Sequence, residues 1–321
     1  MLTGMPVLVT GGAGFVGSHL VDMLLDQEAV VTVADNGSTG RFSFLPEHHP
    51  NLATRYGELQ DSRFLDMVLA GQELVFHFAA NADIRHGKEH PGRDIVDGVF
   101  ATQMLLESMQ RNNVKNIVYA SSGAVYGNPK LPTDMGIDER LPFPRQTSFY
   151  GASKLSCEAL ISAYCETFDF TASVFRFTPM LGERYSHGHI FDWVKNLTQD
   201  PEHLQLLGNG QTKKYCVYVK DAISAILLTL NSSFSNFSVF NIGNDECYTI
   251  DEAVSWVMEE MKASPELSYT GNRWAGDNPD MKLDFSRIRS IGWKPTTSLR
   301  ESVHRTVSYL MANPVLLLRS S

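Results

Sequence analysis

The chain has 321 residues, enough for about two domains and a large core without staples. Its composition, 43% hydrophobic and 20% charged, is that of a water-soluble globular protein. The 27 basic against 36 acidic side chains leave a net charge of −9 with no Lys/Arg-rich run, which excludes a nucleic-acid binder. Cys157, Cys165, Cys216 and Cys247 form no Cys-x-x-Cys pair and fit no zinc framework, so four reduced, mostly buried thiols are expected and no metal. The N-terminus lacks a signal-peptide pattern, and runs such as Pro314–Leu318 are far too short to span a membrane. The expected location is cytoplasmic.

The first half alternates strand and helix patterns. Pro6–Thr10 reads as a strand, followed by a glycine cluster and a helix over Phe15–Leu25. Ala29–Ala34 and Leu74–Phe78 are further apolar runs, and a long helix is predicted over Asp94–Asn112. Asn116–Ala120 is a strand, Tyr150–Thr167 a second long helix, and Thr171–Phe175 another strand. Continuous apolar strands separated by helices predict a parallel sheet covered on both faces. After Arg176 the segments shorten: Val217–Val219, a helix over Ala222–Leu230, a strand at Val239–Ile242, and helices over Ile250–Met261 and Leu299–Met311. The expected architecture is α/β, a doubly wound parallel sheet with a smaller, interleaved C-terminal domain.

Thr10-Gly11-Gly12-Ala13-Gly14-Phe15-Val16-Gly17 lies between the first strand and the first helix. Glycines there permit a tight turn and close approach to a pyrophosphate, which the helix N-terminus attracts. Asp35 ends the second strand, where a carboxylate accepts from a ribose 2′-hydroxyl and repels a 2′-phosphate, favouring NAD over NADP. Tyr150 and Lys154 are one helical turn apart, so an ammonium would favour the phenolate and prepare a base. Ser121 and Ser122 follow a strand whose carboxyl end faces the cofactor crevice.

These motifs resemble the extended short-chain dehydrogenases/reductases, specifically the NAD-dependent nucleotide-sugar epimerases and dehydratases. The resemblance spans nearly the whole chain and implies a Rossmann-type NAD-binding domain over 1–176, to which later segments near 213–243 return, and a smaller, interleaved C-terminal substrate domain, 177–321, that mainly binds nucleotide sugar. It includes His77-Phe78-Ala79-Ala80, Val125-Tyr126-Gly127, Val217-Tyr218-Val219-x-Asp221, Asn241-Ile242-Gly243 and Gly276-Asp277. It implies that NAD is held by Gly11, Gly14, Phe15, Val16, Gly17, Asp35, Asn36, Glu58, Leu59, Phe78, Ala79, Ala80, Tyr150 and Lys154. It implies Tyr150 as base at the sugar C4 hydroxyl, Lys154 as its partner and Ser122 on the C4 oxygen, with hydride passing to NAD and back. Substrate contacts are expected from Asp83, His86, Ser122, Gly123, Tyr150, Thr178, Lys214, Arg273 and Asp277. A homodimer through the two long helices is also implied.

Departures from the family pattern bear on the reaction. Where 4,6-dehydratases carry an Asp-Glu pair, the chain has Gly123-Ala124, which move no proton. Pro179 replaces a substrate-contacting Asn, Lys214 replaces a phosphate-binding Arg, and Arg273 stands one position from another. Met281 replaces a bulky Tyr, leaving room for a 2-acetamido sugar. Asn81, Asp83, Arg85 and His86 form a polar loop able to supply an acid or base. Taken together the departures resemble the UDP-N-acetylglucosamine 5,6-dehydratases of antibiotic biosynthesis. That reaction is the expectation, with a UDP-hexose or UDP-N-acetylhexosamine 4-epimerase as the alternative.

Overall fold

The computed structural model describes residues 2–81, 87, 89–128, 137, 139, 145–230, 235–271 and 281–318. Its centre is a seven-stranded sheet, every neighbouring pair parallel. The strands are β1 (Pro6–Thr10), β2 (Val30–Asp35), β3 (Leu52–Tyr56), β4 (Leu74–His77), β5 (Asn116–Ser122), β6 (Thr171–Phe177) and β11 (Phe237–Ile242). Their spatial order is β11-β6-β5-β4-β1-β2-β3. The chain winds outward from β1 to β3, then returns to β4 on the other side of β1. The carboxyl ends of β1 and β4 therefore part at a topological switch point, where such sheets bind ligands.

The strands alternate their side chains between two cores. Val7 and Val9 of β1 and Val31 and Val33 of β2 pack with Leu20, Val21 and Leu24 of α1 (Phe15–Asp26) and Ile223 and Ile226 of α7 (Val219–Thr229). Leu8, Val75, Ile117 and Tyr119 face the other way, onto α2 (Ser62–Leu69), α4 (Ala101–Arg111) and α5 (Phe149–Phe168). Beyond the sheet, α6 (His189–Gln199), α8 (Ile250–Met261) and α10 (Leu299–Ala312) pack on one another. Three two-stranded sheets accompany them: β7 (Met180–Leu181) with β10 (Val217–Tyr218), β9 (Lys213–Lys214) with β12 (Tyr248–Thr249), and β8 (His203–Leu206) with β13 (Glu266–Tyr269). Among the described residues no helix is long and apolar enough to cross a membrane.

Several elements depart from expectation. The helix expected over Asp94–Asn112 is divided into α3 (Pro91–Asp94), a π-turn at Ile95–Phe100, and α4. Strand β3 was not anticipated: it is an edge strand with Thr54, Arg55 and Tyr56 exposed, so it shows no apolar run. Helices α2 and α6 were also missed, although Ile190, Phe191, Val194 and Leu197 recur at helical spacing in α6.

Candidate active site

The glycine turn runs from β1 into α1. Gly11 has φ +69°, and a Cβ there would lie 2.6 Å from the Ala79 amide nitrogen, so only glycine lets the turn nest against the end of β4. Helix α1 begins at Gly14 with no side-chain cap. The N–H groups of Phe15, Val16 and Gly17 thus have no intrahelical acceptor and can meet a pyrophosphate. Asp35 is 8% exposed and accepts from the Ala13 N–H (3.0 Å) and the Gly37 N–H (2.8 Å). Burial pushes its carboxyl upward, and the two amides oppose this. A carboxylate offers about four acceptor positions, so two remain for a ribose. Asn36 donates to Glu58 at 3.0 Å at the exposed rim, and Leu59 is buried beside it. Phe78, Ala79 and Ala80 follow β4, with the Ala79 N–H directed at Thr10 Oγ1 (3.4 Å). These residues fit the NAD expected from the sequence.

His77 braces this floor. Its Nδ1 lies 2.7 Å from Thr10 Oγ1 and its Nε2 2.9 Å from Thr102 Oγ1, which donates to Cys157 Sγ at 3.3 Å. Burial drives the imidazole down to about 3, so it is neutral and structural.

The second half of the site assembles where β5 ends. Ser122 accepts from the Ala124 N–H (3.1 Å), starting the 3₁₀ turn Gly123–Tyr126. Ser148 caps α5 by accepting from the Gly151 N–H at 3.0 Å. A Cβ on Gly151 would lie 2.6 Å from the Ala124 carbonyl oxygen, so the missing side chain lets the first turn of α5 press against the 3₁₀ turn. That contact sets the Tyr150 phenol beside Ser122. Burial pushes the phenol up to about 12, and the Ser122 hydroxyl pulls against it. Lys154 donates to the Ala120 carbonyl (2.6 Å), lies over the Tyr119 ring at 4.9 Å, and sits 5.8 Å from the Tyr150 ring centroid. Burial pulls its ammonium down to about 8. The sequence expected Lys154 to favour the phenolate. In the structure Ser122 also pulls the phenol downward, and the Lys154 ammonium stands near the ring while donating to the Ala120 carbonyl.

Gly123 is buried beneath Met281 and Leu283; a Cβ on it would lie 3.3 Å from Met281 Cε and 3.4 Å from Leu283 Cδ1. Thr178 is buried next to this point, its N–H donating to the Ile242 carbonyl (2.9 Å) and its hydroxyl without a partner among the described residues. Lys214 is on β9, in register with Tyr248. Asp83, Arg85, His86, Arg273 and Asp277 lie outside the described residues. Asp221 is structural: its carboxylate accepts from the Thr296 N–H (3.0 Å), the Thr296 hydroxyl (2.7 Å) and the Thr297 N–H (2.8 Å).

Two acids escaped the sequence reading. Asp94 is buried; its Oδ1 accepts from Asn81 Nδ2 at 3.0 Å, its Oδ2 has no partner among the described residues, and its charge opposes ionisation of Tyr150. Glu158 pairs with Arg176 inside the fold, Nη2 to Oε2 2.6 Å, with side chains 5% and 10% exposed respectively. Glu158 was legible in principle: it follows Lys154 by four residues, on the same helical face.

Among the described residues no group of three or more His, Cys, Asp or Glu could hold a metal ion. Cys157, Cys165 and Cys216 are buried free thiols, and Cys247 is exposed.

The sequence model of the "NAD dependent epimerase/dehydratase family" matches residues 7–243. A UDP-glucose 4-epimerase of Corynebacterium glutamicum is 29% identical, over 96% of this chain and 96% of its own length. A UDP-N-acetylglucosamine 4-epimerase from Methanobrevibacter ruminantium, solved with UDP-N-acetylmuramic acid, superposes with a TM-score of 0.86 at 27% identity, covering 97% of this chain and 99% of its own. A dTDP-glucose 4,6-dehydratase from Streptomyces venezuelae, DesIV, gives a TM-score of 0.87 at 25% identity, covering 97% and 98%. The chain belongs to the NAD dependent epimerase/dehydratase family, and is an extended short-chain dehydrogenase/reductase enzyme with NAD as its cofactor.

Proposed function

We propose that the enzyme interconverts the C4 epimers of a UDP-hexose or UDP-N-acetylhexosamine. The observation that carries this reading is the pairing of Ser122 and Tyr150 beside Gly123 and Ala124. One proton-moving phenol serves one hydroxyl, and Gly123 and Ala124, which stand where dehydratases carry an Asp-Glu pair, have no ionisable side chain. Epimerisation needs nothing more, whereas eliminating the C6 hydroxyl requires a base at C5 and an acid at the leaving oxygen. We therefore favour the epimerase over the 5,6-dehydration expected from the sequence, in keeping with the relatives that are UDP-sugar 4-epimerases.

The turn Gly11–Gly17 would hold the cofactor's pyrophosphate, Asp35, Asn36 and Glu58 its adenosine, and Tyr150 and Lys154 its nicotinamide end. NAD bound there would supply the acceptor and donor for the C4 hydride and a positive charge. Tyr150 takes the proton of the C4 hydroxyl and later returns it, so no net proton is consumed. Ser122 hydrogen-bonds the same oxygen and holds it against the phenol. Lys154, fixed by the Ala120 carbonyl, keeps a cation near the Tyr150 ring. Thr178, with its unpartnered hydroxyl, and Lys214 are proposed sugar-nucleotide contacts. Met281 over Gly123 suits a 2-acetamido sugar, since a flexible thioether yields more readily than a tyrosine. A homodimer is proposed through α4 and α5, on whose approach Ile95, Val96, Phe100 and Phe149 are exposed.

The test is incubation with UDP-N-acetylglucosamine without added NAD, followed by mass spectrometry and proton NMR. A C4 epimer of unchanged mass supports the reading; loss of one water with vinylic signals overturns it in favour of dehydration. Tyr150→Phe should abolish turnover while leaving NAD bound.

A further inference from the structure

A continuous chain of buried side-chain hydrogen bonds runs from the catalytic helix to the wall over Gly123. Ser121, adjacent to Ser122, donates to Glu158 Oε1 at 2.5 Å. Arg176 donates to Glu158 through Nε (3.0 and 3.2 Å) and Nη2 (2.6 Å), and through Nη1 to the Tyr126 hydroxyl (2.9 Å). Tyr126 donates to Asn241 Oδ1 at 2.8 Å. Asn241, fully buried on β11, spends both amide protons on backbone carbonyls: Ile137 at 2.9 Å and Asp284 at 3.1 Å. Those two positions are themselves joined, the Ile137 N–H donating to Lys282 O (3.0 Å) and the Asp284 N–H to Ile137 O (2.9 Å). The strip so clamped carries Met281 and Leu283, the side chains that close over Gly123.

We propose that Asn241 is a positioning residue for sugar selectivity, registering the Met281–Leu283 wall against the strand end that bears Ser122. Only an Asn or Gln offers one acceptor and two donors from one planar head, and this site uses all three. An Asp here would place a carboxylate against two carbonyl oxygens, and a Leu would leave both carbonyls and Tyr126 unsatisfied in the interior. Because the clamp joins residues far apart in the chain, it fixes where the strip lies without touching the sugar. A site held to within a fraction of an ångström by such supporting bonds discriminates between sugars differing at C2; a loose one does not. The inference rests on the reading of the Ser122–Tyr150 cleft as the sugar site.

The test uses NAD-loaded Tyr150→Phe protein, which binds without turning over. Calorimetry measures affinity for UDP-glucose, UDP-N-acetylglucosamine and UDP, and hydrogen exchange follows the Ile137 and Asp284 amides. Adding Asn241→Leu should move the ratio of the two sugar affinities toward one by at least about fivefold, leave UDP affinity unchanged, and speed exchange at both amides without affecting β4 and β5. Tyr126→Phe should act in the same sense but less, and carries the test if Asn241→Leu does not fold. Unchanged exchange at the two amides, an unchanged ratio despite faster exchange, or a ratio of one before Asn241 is altered each overturns the proposal. If the starting protein binds neither sugar, the epimerase reading fails instead, and hydrogen exchange still reports whether the clamp exists.

Discussion

Tyr150 and Lys154 were identified from spacing, but their electrostatics depend on residues that spacing does not reveal. Asp94 is one of these. Its carboxyl is surrounded by Asn81, Arg93, Asp97, Lys154 and Tyr150, and its negative charge raises both Tyr150 and Lys154. Asp94→Asn removes that charge, so both ionisations move to lower pH. The acid and alkaline limbs of the kcat/KM profile should each shift downward by about one pH unit; a lower rate with an unshifted profile would make Asp94 merely structural. Gly151 makes a steric prediction. A methyl group there meets the Ala124 oxygen at 2.6 Å and Gln146 Oε1 at 2.7 Å, so Gly151→Ala should push Tyr150 away from Ser122. Turnover should fall by about 10²-fold with bound NAD unchanged, since the glycine turn is remote.

At the scale of elements, the parallel sheet covered on both faces follows from continuous apolar runs separated by helices, whereas the strand order and the edge strand β3 emerge only in the structure. The glycine turn, Asp35, Ser122 and the Tyr-Lys pair were legible because each is a local pattern tied to a strand end. The clamp at Asn241 was not, since its partners are 104 and 43 residues away and are backbone carbonyls. Nor was the π-turn at Ile95–Phe100, where a sequence periodic enough for one helix accommodates an extra residue as Gly98 packs on Ser153. The Glu158–Arg176 pair links α5 to β6 inside the core. Glu158→Leu strands a buried guanidinium and should cost about 3–5 kcal/mol in urea unfolding, while adding Arg176→Met should recover much of that loss. Equal losses in the single and double variants would show that the pair contributes packing alone.

For the whole molecule, acid sensitivity is set by buried imidazoles. His19 is driven down to about 4 and His77 to about 3, both by burial. Their folded-state values lie below the unfolded value of about 6.5, so the unfolded chain binds more protons between the two. Stability is complete above that window and is lost as pH falls through it, by about 2 kcal/mol per histidine between pH 7 and 5. Asp22, Asp35 and Asp94, raised by burial, act in the opposite sense at the acid end. Replacing His19 and His77 by Gln should therefore flatten the pH dependence of the urea midpoint between pH 7 and 5; an undiminished slope would place the sensitivity elsewhere.

The outer position of β11 also orders events during synthesis. Six strands of the central sheet are complete once Phe177 has emerged, yet the strand that pairs along the open side of β6 begins at Phe237. A nascent chain therefore carries an uncovered, apolar strand edge for some sixty residues of translation. Ribosome-stalled chains ending before Phe237 should be protease-sensitive and bind chaperones. Chains long enough to expose Ile242 outside the ribosome should become resistant in one step, since the same strand delivers Asn241 to the waiting Tyr126.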